Sequence, residues 1–456
     1  MDAETTPPIS DEKEVARILY KGFLSYLSLR AVGIGLGYVA QIFLSRWLGS
    51  HDYGYYSLLA TAAFVLAYVV GLGYPTAMQR FLPNYRAHGD WPSFMGFVKY
   101  AVRRMTAASA ALGVLVGAGL AILHELHKTA DPWTAPETFA ALLTLVLIPV
   151  QGTQEVYEAG LTAQQRWLDS FVPSMLVTPL LFVGGVALAD AFFPGHLAVY
   201  QVLLVLLLVT ILSTVIQRIL LQRSLPPEGR HCSISFADKD QWDATGKPVL
   251  VMTMFGILSA RADLFAVGLL DGHSDAGIYA AVLATSELLN TFSKASNTVV
   301  TPQIGPLLAA KNTQLLQKVL VRSAQLATYP TLILTILLCS IGTDVLSLFG
   351  PHFEGGYWAL VILCWNQVLI ASAGPPAYVL IVSGHSVNVA RGFAFSLTVQ
   401  LLLLLVLTPH FGMVGASSSS LLAGLLLRIL LTRYVAKTTG IRFGILGGLT
   451  HKWVRE

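Results

Sequence analysis

The chain has 456 residues and a formal net charge of +4; 54% of it is hydrophobic, 12% is charged, and the mean hydropathy is +0.64. A soluble domain carries about 25% charged residues. The composition therefore excludes a soluble enzyme or a nucleic-acid-binding protein, and it places the chain in a lipid bilayer with no polar stretch long enough for a separate domain.

Residues 1–22 are polar with acids and bases mixed. They read as a short cytoplasmic lead-in and not as a cleavable signal peptide. Spanning the hydrocarbon takes about 20 mostly apolar residues per helix. About twelve stretches qualify, near 23–46, 57–80, 96–123, 139–162, 169–190, 197–220, 248–270, 277–302, 324–349, 357–382, 389–409 and 413–435. The expected fold class is all-α, a polytopic membrane protein of two six-helix bundles at 23–221 and 247–436. The polar stretch 222–246 would link them, and 437–456 would form a cytoplasmic tail. Lys and Arg crowd the inward ends of these spans, whereas the outward ends hold only Arg46 and Lys128, so both termini are expected inside. The longest outward loop, His124–Glu137, is too short to fold alone, which argues against an enzyme acting outside the membrane. The 222–246 segment is too small for a nucleotide-binding domain, and G-x-x-x-x-G-K-[ST] is absent, so no P-loop is expected to bind ATP. Cys232, Cys339 and Cys364 show neither metal spacing nor a disulfide framework; no metal, cofactor or catalytic residue is expected.

One pattern occurs twice. Gly49-Ser-His-Asp-Tyr-Gly-Tyr-Tyr56 and Gly272-His-Ser-Asp-Ala-Gly-Ile-Tyr279 both read G-x-x-D-x-G-x-Y, about half a chain apart. A matched motif at half-length suggests duplicated halves. Turn chemistry explains the same residues, since Gly suits a helix C-cap, Asp an N-cap and Tyr an interface. Asp52 and Asp275 are accordingly expected to be caps.

Charges near the middle of a span are costly and face a cavity or a partner. Arg30, Arg261, Asp263, Glu287 and Lys294 stand out, together with Glu155 and Glu158, which share a helical face. One reading pairs the acids with the cations. Another places Arg30, Arg261 and Lys294 on a cavity that holds an anion, Arg offering a bidentate fork and Lys a point charge. Asp263, Glu287, Glu155 and Glu158 would then be coupling groups or charge partners. Pro75, after Gly71-Leu72-Gly73, and Gly374-Pro375-Pro376 interrupt spans and are candidate hinges. Span amides such as Gln151, Asn366 and Gln400, with aromatics such as Tyr38 and Trp365, suit a sugar-bearing substrate or simple helix–helix bonding. Ser417–Ser420 reads as small-residue packing.

Leu44–Ser57, Gly71-Leu-Gly73 leading to Gln79-Arg80-Phe81, Leu258-Ser-Ala-Arg-Ala-Asp263, Gly277–Ala281 and Phe411–Ala416 resemble the polysaccharide-transporter branch of the MOP superfamily, the Wzx-type lipid-linked oligosaccharide flippases. The resemblance implies two six-helix bundles around a central cavity, alternating access, and ion coupling. It also implies an undecaprenyl-pyrophosphate-linked repeat unit as cargo, for O-antigen, capsule or exopolysaccharide. The bacterial inner membrane is the implied location; a polysaccharide polymerase and other assembly proteins are the implied partners besides the bilayer. Arg30, Arg261 and Lys294 are the residues it would set against the pyrophosphate. A MATE-like exporter of cationic drugs and a non-transporting component of a polysaccharide synthase are the competing readings.

Overall fold

The computed structural model describes residues 12–127, 136–192, 197–230, 232–310 and 312–440. The expected N-terminal segment 1–22, the tail 437–456 and the loop His124–Glu137 fall partly outside the described residues, as does Lys128. Among the described residues there are helices and no strand. In order they are α1 Glu12–Val70, α2 Tyr74–Ala87, α3 Trp91–His127, α4 Pro136–Ala163, α5 Trp167–Val172, α6 Thr178–Phe192, α7 Val199–Ser224 and α8 Pro227–Arg230. They continue with α9 Lys239–Leu270, α10 His273–Ala309, α11 Thr313–Ser347, α12 Tyr357–Ala373, α13 Pro376–Val382 and α14 Ser386–Thr439.

Among the described residues nine helical stretches are long and apolar enough to cross a membrane. Two of them are bent in the middle, at Gly49 in α1 (φ 74°) and at Gly412 in α14 (φ 54°). Glycine supplies that backbone because a Cβ disfavours positive φ. Each bent helix thus makes two crossings. The helix α10 is long enough but too polar to qualify, because it carries Glu287, Lys294 and a run of Ser, Thr and Asn. With those adjustments the expected twelve crossings are met.

The chain forms two compact units. One comprises Val39–Arg261 and His273–Gly277. The other takes the described parts of Met1–Tyr38, Ala262–Gly272 and Ile278–Glu456.

In the first unit the apolar core gathers Tyr74, Met78, Leu82, Phe94, Phe97, Met105 and Trp242. Trp242 comes from the segment expected to be a linker, and it is fully buried. Its indole stacks on Phe97 with centroids 4.6 Å apart and planes 7° apart. Its Nε1–H donates to the Tyr85 hydroxyl at 2.9 Å, and Tyr85 donates to Asp238 at 2.7 Å. Burial, and then Asp238, push the Tyr85 phenol upward, which keeps it a donor. Tyr74 and Tyr100 donate to Asp243 at 2.7 and 3.0 Å. The Ser235 amide donates to the Pro92 carbonyl at 3.2 Å, and a Cβ at Gly96 would lie 1.8 Å from the Ser235 carbonyl oxygen. The polar stretch 222–246 is thus packed structure. Sequence hydropathy hides this, because the anchors are one Trp and two Asp in a polar run.

Segments of the two G-x-x-D-x-G-x-Y copies, Ser50–Gly54 and His273–Gly277, meet within this same unit. A Cβ on Gly54 would lie 1.8 Å from the His273 carbonyl oxygen, and one on Gly277 would lie 2.0 Å from that of Ser50. The contact is reciprocal: position six of each copy rests on position two of the other. That relation supports the duplication reading, while the cap reading of Asp275 needs correction. Asp52 lies 3.0 Å from His51 Nδ1, and the N-cap of α10 is Gly272, not Asp275. Asp275 stands in the first turn, where a negative charge favours the helix dipole.

In the second unit, polar bonds run between apolar helices. Ser296 bonds Ser323 at 2.7 Å, and Ser396 donates to the Ala423 carbonyl at 2.9 Å. Tyr38 lies 3.0 Å from Thr285 and edge-on to Phe349. The expected break at Gly374-Pro375-Pro376 is present. Gly374 ends α12 at φ 65°, and Pro376 begins α13, where its missing N–H costs nothing.

Candidate functional site

In the first unit, a small crevice lies beside the helical bend at Gly71-Leu72-Gly73. Its walls include Tyr68, Gly71, Pro75, Gly152, Glu155 and Thr253. The bend is tight: Leu72 has φ 53°, and a Cβ on Gly73 would lie 2.3 Å from the Gly246 carbonyl oxygen. Gly152 faces the Met105 methyl closely enough that a Cβ there would sit 2.4 Å from it. Gly73 thus lets backbone approach backbone beside the crevice, while Gly152 leaves room for the Met105 side chain.

Two expected site residues, Glu155 and Pro75, share this crevice. Glu155 accepts a hydrogen bond from Tyr68 at 3.1 Å. Tyr68 meets Phe64 edge-on at 5.0 Å, and the Arg261 guanidinium lies 5.9 Å from the Phe64 ring centroid. A continuous line runs from a carboxylate through two rings to a cation: Glu155, Tyr68, Phe64, Arg261. A guanidinium over a ring face makes a cation–π contact. Sequence spacing could not have joined these residues, since the line crosses from α4 to α1 to α9.

One turn beyond Glu155 on α4, Glu158 has a different set of partners. Ser174 donates to its carboxylate, as does Gln217 at 3.2 Å; Gln217 also donates to the Ser170 carbonyl at 2.9 Å. Ser174 lies in a π-helical turn, Pro173–Val177, between α5 and α6. Pro173 has no N–H for the regular ladder, and such bulges recur at functional positions. The two carboxylates expected on one face therefore lie in distinct polar surroundings.

In the second unit, Asp263 is 2% exposed. Its Oδ2 accepts from Tyr279 at 3.0 Å and from Ser420 at 2.8 Å, and its Oδ1 accepts from the Leu264 amide at 2.9 Å. Gln400 donates to Ser420 at 3.1 Å. Ser420, expected to be small-residue packing, is a direct partner of a buried carboxylate. Tyr279, the last residue of the second motif copy, is another. A periodic Ser run conceals which hydroxyl meets a charge 157 residues away.

The remaining expected residues, Arg30, Glu287 and Lys294, also belong to the second unit. Arg30 and Glu287 are half-buried and Lys294 is exposed. All three have interactions within the protein. Among the described residues no group of three His, Cys, Asp or Glu could hold a metal ion.

The bent, glycine-hinged helices belong to an all-helical, multi-pass membrane protein. Residues 19–307 match the family of polysaccharide biosynthesis proteins, and the chain belongs to that family. Its fold is similar to an inward-facing multidrug-resistance MATE transporter of the MOP superfamily (TM-score 0.72, 12% identity, covering 90% of this chain and 94% of that one). It is also similar to the lipid II flippase MurJ in an inward closed conformation (TM-score 0.71, 14% identity, 94% and 89% covered). A MATE transporter of Vibrio cholerae matches with a TM-score of 0.66 at 13% identity over 93% of this chain and 98% of that one. No curated protein sequence matches the chain.

Proposed function

We propose that this protein is a flippase for an undecaprenyl-pyrophosphate-linked oligosaccharide repeat unit, carrying it from the cytoplasmic to the outer leaflet for O-antigen, capsule or exopolysaccharide assembly. Membership of the polysaccharide biosynthesis family and a fold similar to a lipid II flippase support this reading. The observation that carries it is Arg261 held on the Phe64 face, in line with Tyr68 and Glu155. A guanidinium at membrane depth is suited to a diphosphate, because its planar fork can bond two phosphate oxygens at once where an ammonium offers a point charge.

In this proposal Arg30, Arg261 and Lys294 meet the diphosphate. Glu155 and Asp263, each held by a tyrosine hydroxyl, are the coupling groups, with Glu158 and Glu287 as charge partners. Pro75 and Gly374-Pro375-Pro376 act as hinges of an ion-coupled alternating-access cycle. The halves 23–221 and 247–436 move against each other in the bacterial inner membrane, with both termini cytoplasmic. A polysaccharide polymerase and other assembly proteins receive the product, and no residue acts as a catalyst.

The test replaces Arg30, Arg261 and Lys294 by Ala, singly and together, in cells that depend on this protein for polymer export. Export falls with each loss of charge and recovers where Lys replaces Arg or Arg replaces Lys. Unchanged export in the triple variant removes the anion-cavity idea. The buried carboxylates Asp263 and Glu155 favour one competitor, a MATE-like exporter of cationic drugs. Drug resistance on overexpression, without polymer export, would establish that reading instead.

A further inference from the structure

Arg428 lies on α14 about 24 Å past the bend at Gly412, by the helical rise of 1.5 Å per residue. It is therefore within the span and not at its end. Its Nε is buried and has no hydrogen-bond partner among the described residues. On α12 the Oδ1 of Asn366 is likewise buried without a partner. Gly424 joins the two. A Cβ at Gly424 would sit 2.8 Å from Asn366 Oδ1, so the amide lies directly over this glycine. Arg428 is one turn further along the same face of α14. Long helical side chains lean back toward the helix N-terminus, over the preceding turn. Arg428 thus leans toward the bare patch at Gly424, where the Asn366 amide stands, and away from the nearer helix end at Thr439.

We infer that Arg428, with Asn366 over Gly424, forms an oxyanion-binding site inside the second unit, for a phosphate-type group that also carries a donor. A buried guanidinium N–H without an acceptor is costly, as is a buried amide oxygen without a donor. A phosphate oxygen meets the first, and a hydroxyl or N–H beside that phosphate meets the second. Two molecules carry this chemistry in a membrane: the diphosphate of the lipid-linked cargo, in which case the inference rests on the flippase reading, and an anionic phospholipid headgroup. The glycine is needed because any side chain at 424 would displace the Asn366 amide.

The full-length protein in nanodiscs of neutral lipid is titrated calorimetrically with inorganic pyrophosphate, and the titration is repeated in discs containing phosphatidylglycerol. Arg428→Gln is expected to weaken pyrophosphate binding at least tenfold, Asn366→Ala to weaken it severalfold, and Arg428→Lys to retain part of it. Competition by phosphatidylglycerol in the wild type, lost in R428Q, assigns the site to a headgroup; its absence assigns it to the diphosphate. Should R428Q fail to fold, Asn366→Ala carries the test alone. Binding unchanged in R428Q and N366A overturns the site. If R261A weakens binding while those two do not, the flippase reading stands and this inference fails by itself.

Discussion

Gly54 and Gly277 are packed reciprocally, each against the backbone carbonyl at the second position of the other's motif, with room for hydrogen and nothing larger. A methyl group at either site would meet main-chain atoms, which cannot rotate away as a side chain can. Gly54→Ala and Gly277→Ala are each expected to cost about 1–3 kcal/mol through overpacking. Because the sites touch, the double variant should depart from the sum of the singles. Thermal melts of the purified protein check this, with Gly113→Ala as control. Gly113 sits in α3 with no atom within 4 Å of a Cβ, so that change should be neutral or slightly stabilising.

Trp242 ties the first turn of α9 to α2 and α3. Trp242→Ala removes a fully buried indole, its stack on Phe97 and its bond to Tyr85, at an expected cost of about 3–5 kcal/mol. The local consequence is more specific. Limited proteolysis should leave residues 222–246 intact in the wild type and cut them rapidly in W242A. Equal resistance in both would mean that the packing around Asp238 and Asp243 holds the segment without the tryptophan.

The carboxylate of Asp263 is the most enclosed of the acids singled out by sequence. Ser420→Ala removes a donor but leaves the charge, and an under-satisfied buried carboxylate costs about 1–3 kcal/mol. Asp263→Asn with Ser420→Ala should be less damaging than the sum of the separate changes, because the serine's main role is to serve that charge. A double-mutant cycle on thermal stability measures it; strict additivity would separate the two residues.

Much of this layout is legible in the chain itself. Apolar runs of spanning length give the helices, but the doubled motif, which pointed to duplicated halves, did not announce the Gly54–Gly277 contact. Gly374-Pro375-Pro376 announced the break between α12 and α13 through backbone chemistry alone. The partners of the charges were not legible. Glu155 meets Tyr68 from another helix, Arg261 rests on Phe64 from a third, and Ser420 is one of four identical neighbours. Only packing selects which ring or hydroxyl reaches a charge, and in an apolar span every face looks alike in sequence. Arg428 was hidden for another reason, because in sequence it stands in a basic chain end with Arg433 and Lys437.

Tyr68 stands between Glu155 and the ring that carries Arg261. Tyr68→Phe keeps the ring contact and removes the hydroxyl, whereas Glu155→Gln keeps a hydrogen-bond acceptor and removes the ionisable group. If Glu155 is a coupling group, E155Q should abolish the dependence of transport on an imposed proton or sodium gradient while substrate binding persists. Y68F should weaken that dependence only in part. Gradient-driven uptake in vesicles is the measurement, and full coupling in E155Q would exclude this carboxylate.

The central claim is that a cation held on an aromatic face at membrane depth handles a lipid diphosphate. The most direct measurement reconstitutes the protein in proteoliposomes and follows the movement of a fluorescent undecaprenyl-diphosphate-linked oligosaccharide between leaflets. Wild-type protein should accelerate flipping, Arg261→Ala should reduce the rate at least tenfold, and Arg261→Lys should recover part of it. Flipping at the wild-type rate in R261A, or no flipping by the wild type above empty liposomes, would contradict the account.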